Sequence, residues 1–274
     1  MNADQIGESR HAVAAVLNYS IDTGKRPQII NSDYTKNDLS LAPYDMSITD
    51  ASTSGLTTSL TREGFCRVAD IVDISDITTS PEAAEQYRAH LVPLMLELTG
   101  ADEIIVQRGS VRRQAQLNAT LGEPVPSSIP VNFVHSDFTL KGAFQAEARY
   151  PAPSRASVRR KAMFNMWKLL SPGPTNTPLA LCDSSSVVPD DIILGDSNLP
   201  DGAKFETAFF RYNKNHRWHY YSDLTAEQLL VFKQSDTDED FPLLVPHTAF
   251  NDNSQPPAAS RVSIETRCLA VWFS

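Results

Sequence analysis

The chain has 274 residues, 41% hydrophobic and 21% charged, an ordinary globular composition long enough to bury a substantial core. Its formal net charge of −9 argues against nucleic acid as a partner, because phosphate recognition needs clustered Lys and Arg, and the only basic clusters are Arg112-Arg113 and residues 155–161. Three scattered cysteines (Cys66, Cys182, Cys268) without C-x-x-C spacing argue against a structural zinc site or a disulfide framework. No apolar run approaches the roughly 18 residues of a membrane span. The N-terminal residues are polar, without the apolar core of a secretion signal, so a cytoplasmic protein with reduced thiols is expected.

In chain order, residues 9–19 alternate small and apolar side chains and suit a short helix or strand. Residues 24–60 are rich in Asp, Ser, Thr and Pro and read as an extended, turn-rich arm, compatible with a homodimer. Gly64-Phe65-Cys66-Arg67-Val68 starts a strand after a turn. Ser80-Pro81-Glu82 is a helix opening, with a serine cap, proline at the first helical position and an acid in the first turn. That helix should run to about Leu98 and stop at Gly100. Leu91, Leu94, Met95 and Leu98 form its buried stripe, and Pro93 is expected to kink or split it. Strands are predicted at 103–107, 131–134, 162–169, 179–182, 206–212, 218–221, 229–233 and 263–273, separated by turn clusters at 171–174 and 251–257. Many short strands with one or two helices predict a mainly β, double-stranded β-helix (jelly-roll, cupin-like) with flanking helices. The division expected is a single domain, 1–274, with residues 1–130 as arm and helical support and 131–274 as the β-helix core.

The chemistry is concentrated at three places. His135 and Asp137 form an H-x-D, whose i and i+2 side chains share one strand side. With the distal His247 they make a 2-His-1-carboxylate set, which holds Fe(II) on one face and leaves positions open for a chelating co-substrate and O2. Fourteen residues after His247, Arg261-Val262-Ser263 again puts two polar side chains on one face, a guanidinium fork beside a hydroxyl suited to the carboxylate of 2-oxoglutarate. One loop separates His247 from this strand, and adjoining strands are expected to bring both to one cavity mouth. Asn165 and Trp167 alternate on one strand face, the amide suited to the co-substrate and the indole to a cavity wall. Arg112 and Arg113 are candidates for an acidic substrate group. Arg267 reads as structural, and the competing reading of Arg261 is a buried arginine paired to Glu265. His216 and His219 imitate a ligand pair but are not followed by R-x-S at the right distance, and Trp218, Tyr220 and Tyr221 read as core. From these residues alone, a non-oxidative metal-dependent jelly-roll hydrolase or isomerase, or a metabolite-binding jelly roll, stays open beside the oxygenase.

A longer series of segments narrows the choice. In order they are Gly64-Phe65, Thr99-Gly100-Ala101, Val111-Arg112-Arg113, residues 134–139 around the H-x-D, Asn165-Met166-Trp167, 178–183, 216–221, 246–250, and Arg261-Val262-Ser263-Ile264-Glu265-Thr266-Arg267-Cys268. Over nearly the whole chain this series resembles the CmcJ-like, asaB-type hydroxylase/desaturase family of non-heme iron 2-oxoglutarate-dependent oxygenases, whose R-E-S-I-E-x-R signature the last segment approaches. The resemblance implies Fe(II), 2-oxoglutarate and O2. It also implies a small secondary-metabolite substrate, undergoing hydroxylation, desaturation, endoperoxidation or oxidative cyclisation. Two positions depart from the family: Phe138 where Gln is usual, and Val262 where Glu is usual. Val262 is expected to face away from Arg261 and Ser263, whereas Phe138 adjoins the metal acid and bears on substrate shape.

Overall fold

The computed structural model describes residues 11–74, 76–77, 80–114, 129–252 and 260–274; part of the turn predicted at 251–257 lies outside them. In chain order the elements begin with β1 (Ala12–Ser20), β2 (Gln28–Ile30), β3 (Leu41–Asp50) and β4 (Phe65–Ala69), followed by α1 (Pro81–Thr99) and β5 (Glu103–Gln114). Next come β6 (His135–Ser136), α2 (Leu140–Glu147), β7 (Val158–Leu169), β8 (Leu179–Cys182), β9 (Ile192–Asn198) and β10 (Lys204–Phe210). The last are β11 (Trp218–Tyr220), β12 (Gln228–Asp236), β13 (His247–Ala249) and β14 (Val262–Phe273).

The strands form two curled sheets. One has nine strands in the order β1-β3-β11-β8-β13-β6-β10-β9-β2, and the other has five in the order β4-β12-β7-β14-β5. This is the jelly roll expected from the strand pattern. The five-stranded sheet shows why its sequence alternates. Phe164 and Met166 of β7, with Ile264, Cys268 and Ala270 of β14, face α1 and its buried Tyr87, Leu91 and Met95. The intervening side chains, Asn165 and Trp167 on β7 with Ser263, Glu265 and Arg267 on β14, face the other sheet. Cross-strand register sets Glu265 opposite Trp167 and Arg267 opposite Asn165.

Helix α1 begins as its sequence dictates: the Ser80 hydroxyl accepts from Ala83 N, and Gly100 closes the helix at φ 65°. Pro93 does not split it, because its exposed ring sits between Leu91 and Met95, which are fully buried and hold the flanking turns to the sheet. Within the stretch 24–60, read above as an extended, turn-rich arm, β3 lies between β1 and β11 and pairs with both. Its polar composition reflects half-exposed alternation near a sheet edge. The strand expected at 131–134 begins only at His135. Neither β9 nor α2 stands out in the sequence. Helix α2 sits tightly on β10, where a Cβ at Gly142 would lie 1.8 Å from the Glu206 carbonyl oxygen, and Thr139 caps it.

Candidate metal centre

The centre lies where the two sheets face one another. His135 on β6 and His247 on β13 are direct cross-strand partners. Directly opposed side chains share a face, and here the ring centroids are 4.3 Å apart. Asp137 follows β6 immediately, in the bend before α2. Its loop is pinned on both sides: Asp137 N donates to Gln234 Oε1 (2.9 Å), and Thr139 Oγ1 donates to Glu206 Oε1 (2.8 Å). One ligand atom from each of His135, Asp137 and His247 falls within 4.8 Å of the others, and no other such group of His, Cys, Asp and Glu occurs among the described residues.

The protonation states suit a metal. His135 Nδ1 bonds the Phe133 carbonyl at 3.0 Å and His247 Nδ1 bonds the Val245 carbonyl at 3.1 Å. A carbonyl only accepts, so both Nδ1 atoms carry the proton and both Nε2 atoms present lone pairs. Burial, reinforced by the neighbouring His247, pushes His135 down to about 4. Burial likewise lowers His247. Burial alone would raise Asp137, but Arg267 and the two imidazoles outweigh it and hold the carboxyl well below the usual range. Asp137 Oδ2 receives Asn165 Nδ2 (2.7 Å) and Arg267 Nη2 (2.9 Å), which leaves Oδ1 toward His135 Nε2, 3.7 Å away. Two neutral, buried imidazoles and one ionised oxygen of a half-buried acid, all convergent, fit a divalent first-row ion. Asn165 Oδ1 and Gln234 Nε2, buried beside this carboxylate, have no hydrogen-bond partner among the described residues.

Next to the triad is a cleft of about 40 Å³ lined by His135, Asp137, His247, Trp167, Arg261 and Arg113. Arg261 is 3% exposed; it donates to Ser263 Oγ (3.2 Å) and the Thr177 carbonyl (2.9 Å), and lies 5.0 Å from the centre of the Trp167 ring. Burial and the nearby Arg113 push it down to about 9. Glu265 does not pair with it. That carboxylate accepts from Arg267 at 2.6 Å, so the Arg261–Glu265 pair considered above is not made, and Arg267 also reaches Asp137. His247 and Arg261 do reach one cleft, but from facing sheets rather than adjoining strands. Asn165 turns its amide to Asp137 rather than into the cleft.

A larger cavity of about 290 Å³ opens on the other side of Asp137, walled by Phe138, Phe205, Tyr34 and Tyr150. Val262 is half-buried between the buried Arg261 and Ser263, as alternation requires. Arg112 is exposed and Arg113 is inward. His216 is held elsewhere by Asp191 and Tyr19, both at 3.0 Å, and His219 packs near Phe65. Trp218, Tyr220 and Tyr221 are core. Gln234 escaped sequence reasoning because the bulge between Lys233 and Ser235 breaks the alternation that would have aimed it inward.

Comparison with known proteins agrees with this geometry. The family model described as oxidoreductase/YMDC permease-like domain matches residues 17–271. A hydroxylase/desaturase of Hormonema carpetanum, efuI, is 31% identical over 78% of this chain and 79% of its own length. The Fe(II)/2-oxoglutarate-dependent dioxygenase nvfI of Aspergillus novofumigatus is 24% identical over 86% of each chain. The solved iron and alpha-ketoglutarate-dependent endoperoxidase NvfI superposes with a TM-score of 0.79 at 21% identity, covering 97% of this chain and 100% of its own, and so shares the fold. Matched across both sheets and the metal centre, the chain belongs to the oxidoreductase/YMDC permease-like domain family, alongside its hydroxylase/desaturase members.

Proposed function

We propose that this oxidoreductase is an Fe(II)- and 2-oxoglutarate-dependent oxygenase acting on a small secondary-metabolite intermediate. The observation that carries the reading is the pairing of a convergent, deprotonated His135-Asp137-His247 set, its histidines buried and its acid half-buried, with a buried Arg261 whose hydrogen-bond partners among the described residues are neutral. His135, Asp137 and His247 would hold the metal, and Arg261 with Ser263 would grip the distal carboxylate of 2-oxoglutarate. A buried charge-assisted pair of that kind is strong because water does not compete. When bound, the iron supplies O2 activation coupled to oxidative decarboxylation of the co-substrate. The chain's residues do the rest. Phe133 and Val245 carbonyls fix the imidazole tautomers, Asn165 and Arg267 hold Asp137 to one free oxygen, Trp167 walls the co-substrate side, and Phe138 shapes the substrate side. The free, buried Cys66, Cys182 and Cys268, which burial pushes up to about 12, suit a reducing cytoplasm.

Iron content and 2-oxoglutarate-dependent succinate release test this directly. His135→Ala, Asp137→Ala and His247→Ala should lose both, while His216→Ala and His219→Ala keep both. Iron lost from the His216 or His219 variant with the His247 variant fully loaded would refute the triad. Normal iron binding without succinate would favour a non-oxidative metal enzyme.

A further inference from the structure

We propose that Gln234 is a positioning residue for Asp137, its side-chain amide fixing the main chain of the acid and so the affinity of the centre; the inference rests on the metal reading given above. The two histidines are fixed by a ladder, because His135 and His247 are paired across β6 and β13. Asp137 is not. Strand β6 ends at Ser136, which pairs with Ala208, and Asp137 lies in the bend beyond it. Its carboxylate is held at the tip by Asn165 and Arg267, which leaves the side chain free to pivot unless the main chain is held as well. The Asp137 N–H supplies that hold, donating to Gln234 Oε1 at 2.9 Å, and the neighbouring Ser136 hydroxyl donates to the same oxygen at 3.0 Å.

Gln234 reaches this loop from the facing sheet. It is the extra residue of the β12 bulge: the register passes from Lys233 opposite Phe164 to Ser235 opposite Met163, and a bulge re-aims a side chain. The bulge supports both halves of the centre. The Lys233 carbonyl accepts from Val245 N at 2.9 Å, and the Val245 carbonyl in turn accepts from His247 Nδ1. Phe232, one residue earlier, lies with its ring centre 4.9 Å from that of His247. Gln234 takes the Asp137 side. Its side chain is fully buried, and its Nε2 has no hydrogen-bond partner among the described residues. The side-chain bonds it does make go to residues 136 and 137, where water does not compete.

The test titrates Co(II), a stand-in for Fe(II) that air does not oxidise, into the full-length metal-free protein and its variants. Gln234→Met, close in volume but without the amide acceptor, should weaken Co(II) binding about tenfold or more and shift the visible Co(II) bands, which report ligand number and geometry. Gln234→Glu keeps an oxygen at the acceptor position and should return both affinity and bands to those of the parent. Met166→Ala, on the opposite face of the same sheet, should lower the unfolding midpoint and leave both unchanged, which separates positioning from general loss of stability. Three results would each overturn the assignment: parent-like affinity and bands in Gln234→Met, an equal loss in Met166→Ala, or affinity regained in Gln234→Glu with bands unlike the parent's. The last would show added charge at work rather than position. A parent chain that binds no Co(II) would remove the metal centre and this role with it, whereas a binding parent with an unaffected Gln234→Met removes the role alone.

Discussion

Arg261 and Arg267 share the inner face of β14, the first buried and the second half-buried, yet they end in opposite electrostatic states. Arg267 lies between Asp137 (2.9 Å) and Glu265 (2.6 Å), and those two carboxylates raise its pKa despite burial. Among the described residues, Arg261 donates to the Ser263 hydroxyl and the Thr177 carbonyl and lies against the Trp167 ring, and burial with Arg113 pushes it down to about 9. A buried cation is stable when its partners are built in. Arg267 meets that condition through its Nη2, although its Nε is buried with no hydrogen-bond partner among the described residues. On the function proposed above, Arg261 would meet it when the co-substrate carboxylate arrives. The same residue type on the same strand face would then steady Asp137 at one end and take a ligand at the other.

The largest expected effect tests the finished end. Arg267→Leu leaves the half-buried Asp137 and Glu265 without their cation, which should cost about 3 kcal/mol of stability, the lower end of a buried-pair loss, and weaken metal retention. Adding Glu265→Gln should return part of that loss, since one of the two stranded charges is removed. Denaturant unfolding of both variants checks this; a single variant as stable as the parent would show that Arg267 is dispensable.

A smaller effect concerns the histidines. An ordinary unfolded imidazole titrates near 6.5, while burial holds His135 at about 4. Between these values the unfolded chain takes up a proton that the folded chain refuses, so stability falls as pH falls through this window. The slope is at most about 1.4 kcal/mol per pH unit for each such histidine. Asp137, held low, adds a further loss below its unfolded value, whereas Glu265, raised by burial, opposes it. The difference between the metal-free protein and His135→Gln isolates the histidine: the variant's stability should vary less between pH 6.5 and 4.5. Identical slopes would contradict a neutral, buried His135.

The smallest effect tests the waiting end. In the protein without metal or co-substrate, Arg261→Leu should cost less than Arg267→Leu, because the acceptors seen for its guanidinium are neutral and the buried charge is removed with it. A loss comparable to that of Arg267→Leu would mean that Arg261 is structural after all.

The sequence made one side of this comparison legible. H-x-D, the distal histidine and R-x-S rest on the period-2 geometry of strands, which is local, and the structure brings His135, Asp137, His247, Arg261 and Trp167 to one cleft. The role of Arg267 was not legible, because its partner Asp137 comes from the other sheet and no spacing along the chain encodes a contact between sheets. The same holds for β3, whose partners β1 and β11 turn a polar stretch into a sheet member. Helix α2 was missed for a different reason. Its start carries the signal, Thr139 before Leu140, Ala143 and Ala146, but it is short, and Gly142 weakens it locally in return for close packing on β10.

The most direct measurement is the affinity of the Fe(II)-loaded protein for 2-oxoglutarate under argon, for the parent chain and for Arg261→Leu. If Arg261 waits for the co-substrate carboxylate, its loss should weaken binding by roughly 2–5 kcal/mol, at least thirtyfold, with the iron retained. Unchanged affinity in an iron-loaded Arg261→Leu variant would contradict the account.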